Sequence, residues 1–225
     1  MRVDIISAVP ELLEGPLSNS IVGRALKNGL VNIVIHNLRD YGKGNYKQID
    51  DKPFGGMAGM VLSPIPLDTC IEKLKSERTY DEVIFFCPDG DSMDQSLINN
   101  YSLKENLLII CGHYKGIDQR IRDIHVTKEL SLGDFVISGG ELAAAVFTDA
   151  IVRIIPKAIG NEESALSDSF QDGLLAPPIY TRPANFKGHG VPEVLLGGNH
   201  ALINEWLIKE SEERTNALRP DLTKD

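Results

Sequence analysis

The chain has 225 residues, a formal net charge of −9, 42% hydrophobic and 24% charged residues, the profile of one large globular domain or of a main domain with a small second one. No apolar run approaches membrane-spanning length, and the negative charge disfavours a general nucleic-acid binder, whose surface is normally basic. Cys70, Cys87 and Cys111 are odd in number and lie in apolar segments, so buried reduced thiols in a cytoplasmic protein are expected rather than a disulfide framework.

The opening MRVDIISAVP carries an acid inside a short apolar stretch and reads as a first strand, RVDIISAV, rather than a leader. SNSIVGRALKNG reads as a helix, with Ser and Asn at its start and Gly29 as its stop. LVNIVIHNL is a second strand, followed by a long Gly-rich loop from Arg39 to Met60. SPIPLDTCIEKLKS predicts a helix entered through Ser63 and Pro64. Then come the strand EVIFFC, the helix DQSLINNYS, the strand NLLIIC, a helical turn in GIDQRIRD and the strand IHVTKEL. A Gly-rich loop at 131–140 leads into a helix over 141–155 that is apolar on nearly every side (Ala143, Ala144, Val146, Phe147, Ala150, Ile151, Ile154). Such a helix should be buried all round, against its own domain and against a second subunit. This alternation, with near-continuous apolar strands, predicts an α/β fold with a mostly parallel sheet covered on both faces.

After Pro156 the period is lost. Residues 161–180 hold Glu162, Glu163, Asp168 and Asp172 with no Lys or Arg, and 161–176 reads as a linker or lid. In NHALINEWLIKESEERT, Leu202, Ile203, Trp206 and Leu207 share a helical face, which suggests a small helical module over 177–225. The expected domains are therefore 1–160, the linker 161–176 and 177–225. From 181 onward six Lys and Arg face seven acids, so RNA binding would have to use a local patch.

Three apolar strands end in glycine-containing turns that can present backbone N–H and C=O groups: FFCPDG, CGHYKGID and SLGDFVISGG. Ligands of open α/β sheets collect beyond the carboxyl ends of the strands, and glycine lets a ligand approach the main chain closely. The plain alternative is that each glycine serves a turn or cap. SGGE (138–141) also fits a capping box between Ser138 and Glu141. No G-x-G-x-x-G fingerprint and no P-loop occurs, which argues against dinucleotides and nucleoside triphosphates. The five histidines have no zinc-like spacing, so no metal site is expected.

CGHYKGID and SLGDFVISGGELAA, together with SIVGRAL, LRDY, FGGMAGM, DSFQDGLLAPPIYTRP and VPEVLLGGNH, closely resemble the bacterial tRNA (guanine-N1)-methyltransferases, which methylate guanosine 37 beside the anticodon. The resemblance covers the whole chain. It implies the SPOUT class, whose sheet ends in a deep trefoil knot that binds S-adenosylmethionine in a bent shape. It also implies a cytoplasmic homodimer with shared active sites, acting on the tRNA anticodon stem-loop and not on membranes or DNA.

By this resemblance the loop 131–140 is one wall of the cofactor pocket. Leu132, Gly133, Asp134, Phe135, Val136 and Ile137 would meet adenine and ribose through backbone groups. Gly139 and Gly140 would let the chain pass close by, and Phe85, Pro88 and Gly112 would supply the neighbouring turns. The chemistry needs a base for the N1 proton of guanine and a cation for the charge that builds on O6. The resemblance assigns these to Asp168 and Arg153. Each has a plainer reading: Arg153 follows Asp149 by four residues, as in a helical ion pair, and Asp168 could cap a helix in SFQDGLL. His113 and Lys115 stand where the family more often has Arg and Glu, so no catalytic role is carried over to position 115. Mg²⁺, for which the sequence offers no cage, would be held loosely or through the RNA. The competing functions are a knotted methyltransferase acting at another RNA position and a non-catalytic RNA- or nucleotide-binding module.

Overall fold

The structure is a computed structural model and describes residues 1–160 and 168–223. The chain divides into two compact units, Met1–Glu162 and Glu163–Asp225. In chain order the first unit runs β1 (Arg2–Ser7), α1 (Glu11–Ser18), α2 (Ser20–Lys27), β2 (Asn32–Asn37), β3 (Asp50–Asp51), β4 (Val61–Leu62), α3 (Pro64–Glu77), β5 (Glu82–Ser92), α4 (Gln95–Ser102), β6 (Asn106–Ile110), α5 (Gln119–His125), β7 (Lys128–Ser131) and α6 (Glu141–Arg153). The main sheet has the order β2-β1-β6-β5-β7, and every pairing in it is parallel. This is the expected α/β architecture.

Strand alternation explains the layering. In β6, Leu107 and Ile109, followed by Cys111, pack with Phe147, Ile151 and Ile98 of the α6 and α4 side. Leu108 and Ile110 face the opposite way, toward Leu67, Ile71 and Leu74 of α3 and Ile121 of α5. A strand covered on both faces has no solvent side, which is why NLLII is apolar without interruption. Phe147, fully buried, lies edge-on to Phe86 at 5.7 Å and to Tyr101 at 5.3 Å between ring centroids. Truncating it to alanine is expected to cost about 3–5 kcal/mol.

Several expected boundaries move. The helix expected over 18–29 is α2, and a further helix, α1, precedes it despite an internal Pro16, with Asn19 between the two. Ile124 and His125 belong to the end of α5, not to the following strand. The helical pattern of Ile121 and His125, both buried, outweighs β-branched content there. The strand at 82–87 runs on to Ser92 across a bulge, because Phe86 and Asp91 both pair with Leu130. Gly90 permits it: a Cβ there would lie 2.5 Å from the Leu130 amide nitrogen.

Within the single chain, α6 is buried on one side and half-exposed on the other. Ala143, Ala144, Phe147, Ile151 and Val152 are buried, while Leu142 and Val146 are 52% and 51% exposed.

The second unit contains a hairpin absent from the sequence reading, β8 (Asn185–Phe186) with β9 (His189–Gly190). Lys187 and Gly188 make its turn, both at positive φ, the geometry that a two-residue hairpin requires. After it come α7 (Glu193–Leu196) and α8 (His200–Leu218). Asn199 caps α8 by accepting from the amides of Ala201 and Leu202. Of the expected face, Ile203, Trp206 and Leu207 are partly buried, while Leu202 is half-exposed. Trp206 packs near Tyr180, and buried Thr215 accepts from the Leu175 amide while donating to the Ser211 carbonyl. Residues 161–167, the first part of the expected linker, lie outside the described residues.

Candidate functional site

β6, β5 and β7 are neighbours in a parallel sheet, so the segments at their carboxyl ends meet on one edge. The bulge 87–90, the turn 112–117 and the loop 131–140 enclose a cleft of about 350 Å³, within the range of small-molecule sites. Of the residues the sequence assigns to cofactor binding, Phe85, Pro88, Gly112, Leu132, Gly133, Phe135, Val136, Ile137, Gly139 and Gly140 line it. Asp134 does not; it is exposed on the outside of the loop.

The glycines serve different contacts. Gly140 is in an ordinary helical conformation. Its amide donates to the Gly112 carbonyl at 2.7 Å, and an added Cβ would lie 2.9 Å from both the Cys111 Cα and the Gly112 nitrogen. The glycine therefore lets two strand-end segments cross in contact. Gly112 faces the Phe85 ring, 3.0 Å from where its Cβ would be. Gly139 pairs with His113 in an isolated antiparallel bridge.

The capping box does not form: α6 begins at Gly140 with no side-chain cap. Glu141 turns inward instead. It is fully buried, and Ser7 Oγ at the end of β1 donates to its Oε1 at 2.8 Å. Ser7 Oγ in turn accepts from the Val9 amide. This inward carboxylate was not legible in the sequence, where S-x-x-E points to a cap.

Arg122 of α5 was also missed. Its guanidinium donates to both Glu129 oxygens at 2.7 and 2.6 Å and to Asp89 at 2.6 Å. It also lies over the Phe85 ring, 5.5 Å from the centroid. It thus fastens the bulge to β7 and α5. The Arg122 hydrogen bond holds Asp89 below the usual carboxylate range. Burial, aided by Asp89, pushes the Cys87 thiol up to about 12, and burial pushes the Cys111 thiol well up. Neither is a thiolate nucleophile at neutral pH. Cys87, Asp89 and Glu129 bring ligand atoms within 4.8 Å of one another, but the positive charge among them is the Arg122 guanidinium.

At the tip of the third loop Phe135, Val136 and Ile137 are 58%, 86% and 37% exposed. The main-chain groups of Val136 and Ile137 make no hydrogen bond with any described residue. Clustered exposed apolar side chains of this kind mark a place where a ligand or partner can dock.

Arg153 ends α6, is partly buried, and is not among the cleft's lining residues. Asp168 belongs to the second unit, also partly buried. Residues 168–174 form turns rather than a helix, so Asp168 has no helix to cap there.

A parallel α/β sheet with a cleft across three adjacent strand ends is the arrangement in which open α/β folds collect small ligands. Comparison with known proteins makes this specific. The family model described as tRNA (Guanine-1)-methyltransferase TrmD matches residues 1–225. Proteins named tRNA (guanine-N(1)-)-methyltransferase from Bacteroides fragilis, Christiangramia forsetii and Porphyromonas gingivalis are 59%, 58% and 55% identical over 225 residues, covering all of each chain. The chain belongs to this family of S-adenosylmethionine-dependent tRNA methyltransferases.

Proposed function

We propose that the protein transfers a methyl group from S-adenosylmethionine to N1 of guanosine 37 in tRNA, using the cleft beyond β5, β6 and β7 as the methyl-donor site. The observation that carries this reading is the convergence of the three loops on one cleft in a chain matched end to end by the family. The residues present fit the donor: unpaired amides at 136 and 137 and apolar side chains at 135–137 suit a neutral adenosine. The tight crossing of Gly140 over Cys111 and Gly112 supports a knotted path for the chain.

S-adenosylmethionine supplies an activated methyl group on a sulfonium. The protein's part is to free the nucleophile and to stabilise charge. Guanine N1 holds its proton at neutral pH; the Asp168 carboxylate takes it, leaving the N1 lone pair to accept the methyl. Negative charge then gathers on O6, where the Arg153 guanidinium offsets it. Any Mg²⁺ is placed with the RNA, whose phosphates it suits.

We read the assembly as a cytoplasmic homodimer in which Asp168 of one subunit completes the cleft of the other. The half-exposed Leu142 and Val146 on α6 support a partner surface there. The part of the second unit from 177 to 225 is assigned to the anticodon stem-loop. No described helix is long and apolar enough to cross a membrane. The test is methyl transfer to tRNA transcripts carrying guanosine or adenosine at position 37. Transfer to the first alone supports the reading, and equal transfer to both rejects it.

A further inference from the structure

Two orphaned polar atoms face each other beside the cleft. Glu141 is fully buried, and its Oε2 has no hydrogen-bond partner. His113 Nδ1, also buried and unpartnered, lies 3.7 Å away. An unpaired carboxylate oxygen in the interior is expensive. A shift of roughly 1 Å would close the gap to an ordinary charge-assisted hydrogen bond. Gly139 crosses directly over this pair: a Cβ on it would lie 2.4 Å from Glu141 Oε2 and 2.6 Å from His113 Nδ1. The glycine thus leaves room for the two side chains to meet. With Nδ1 turned to Glu141, Nε2 on the opposite edge of the ring is the atom left for a ligand in the cleft that His113 lines.

The Arg and Lys side chains lining the cleft are Arg122 and Lys115. Arg122 is engaged by Asp89 and Glu129. The Lys115 ammonium makes no hydrogen bond or ion pair with any described residue; the backbone amide is held by the Met60 carbonyl, and the side-chain stem lies against Gly59. The turn 113–115 is therefore the end of the cleft with positive charge to offer. The methyl donor has a neutral adenosine, a positive sulfonium and ammonium, and one anionic group, its carboxylate.

Resting on the donor-site reading above, we propose that this turn binds the carboxylate of the donor's methionine arm. His113 Nε2–H and the Lys115 ammonium hold it, and Glu141, backed by Ser7, acts as the positioning residue that fixes the His113 ring. The adenosine then lies toward the loop 132–137.

The test compares S-adenosylhomocysteine with 5′-methylthioadenosine, which lacks the amino-acid arm, by titration calorimetry. His113→Asn and Lys115→Met should each weaken S-adenosylhomocysteine about tenfold or more and leave methylthioadenosine within about twofold. Equal losses for both ligands, or no loss for S-adenosylhomocysteine, would overturn the proposal. Failure of the wild-type protein to bind either ligand would instead refute the donor-site reading. The role of Glu141 is read separately by ¹H–¹⁵N spectra of histidine-labelled protein with S-adenosylhomocysteine bound. A downfield Nδ1 proton, assigned by its loss in His113→Asn, should move or vanish in Glu141→Gln and in Gly139→Ala. An unchanged resonance in either folded variant removes Glu141 from the assignment.

Discussion

At the residue scale, Gly139 and Gly140 are adjacent and do different things. The sequence reading gives both one purpose, room for a ligand against the main chain. In the structure Gly140 makes room for the protein's own backbone at Cys111 and Gly112. Gly140→Val should therefore lower stability by about 1–3 kcal/mol as well as weaken ligand binding, measured by urea unfolding and calorimetry. Gly139→Ala presses on two side chains instead. It should keep its unfolding midpoint near wild type and lose S-adenosylhomocysteine affinity by about tenfold. The reverse ranking in stability would contradict this division. Arg153→Ala and Asp168→Ala should each lose about 10²-fold or more in turnover with cofactor affinity nearly unchanged. Single-turnover rates with saturating tRNA would decide it.

At the scale of elements, Arg122 is the connection that holds the bulge of β5 as a cleft wall. Arg122→Met keeps the stem and drops three charge-assisted hydrogen bonds. The bulge should loosen, with protease sensitivity rising at 87–90 and cofactor affinity falling several-fold. β1 carries a comparable network around Asp4, which is fully buried. It accepts from Arg2 at 2.9 and 2.7 Å and from Tyr80 at 3.0 Å, and pairs with His36 at 2.7 Å. Burial alone would raise this carboxyl, but the hydrogen bonds from His36, Arg2 and Tyr80 outweigh it and hold Asp4 well below the usual range. Its folded value is depressed, so its contribution is complete above the unfolded value of about 4 and is lost as pH falls below that. Asp4→Asn should cost about 3–5 kcal/mol at neutral pH, and the gap should narrow below about pH 4. A constant gap from pH 7 to pH 3 would contradict it.

These elements also show what the sequence could reveal. The strands were legible because Leu107 to Ile110 and Val83 to Phe86 are apolar on both faces. The bulge was not, since Pro88-Asp89-Gly90 reads as an ending when the partner strand is unseen. Glu141 was misleading, because its spacing from Ser138 satisfies a cap while its true partner, Ser7, is 134 residues away. The cofactor loops were found as motifs, but Arg122 gave no signal, since its partners Asp89 and Glu129 come from different elements.

At the scale of the whole molecule, the proposed chemistry is divided between the two units. Arg153 lies in the first and Asp168 in the second, and the proposed dimer joins them across subunits. Mixing Arg153→Ala with Asp168→Ala after verified subunit exchange should restore roughly a quarter of wild-type activity. About half of the dimers are then mixed, each with one intact site of two. No recovery would place both residues within one subunit. The central claim, base methylation at N1 of guanosine 37, is tested most directly by identifying the methylated nucleoside. Wild-type protein, S-adenosylmethionine and a guanosine-37 transcript are incubated, the RNA is cut to fragments and nucleosides, and both are weighed by mass spectrometry. 1-Methylguanosine is expected in the fragment containing position 37; a ribose-methylated nucleoside, or methylation confined to another fragment, would contradict base methylation there.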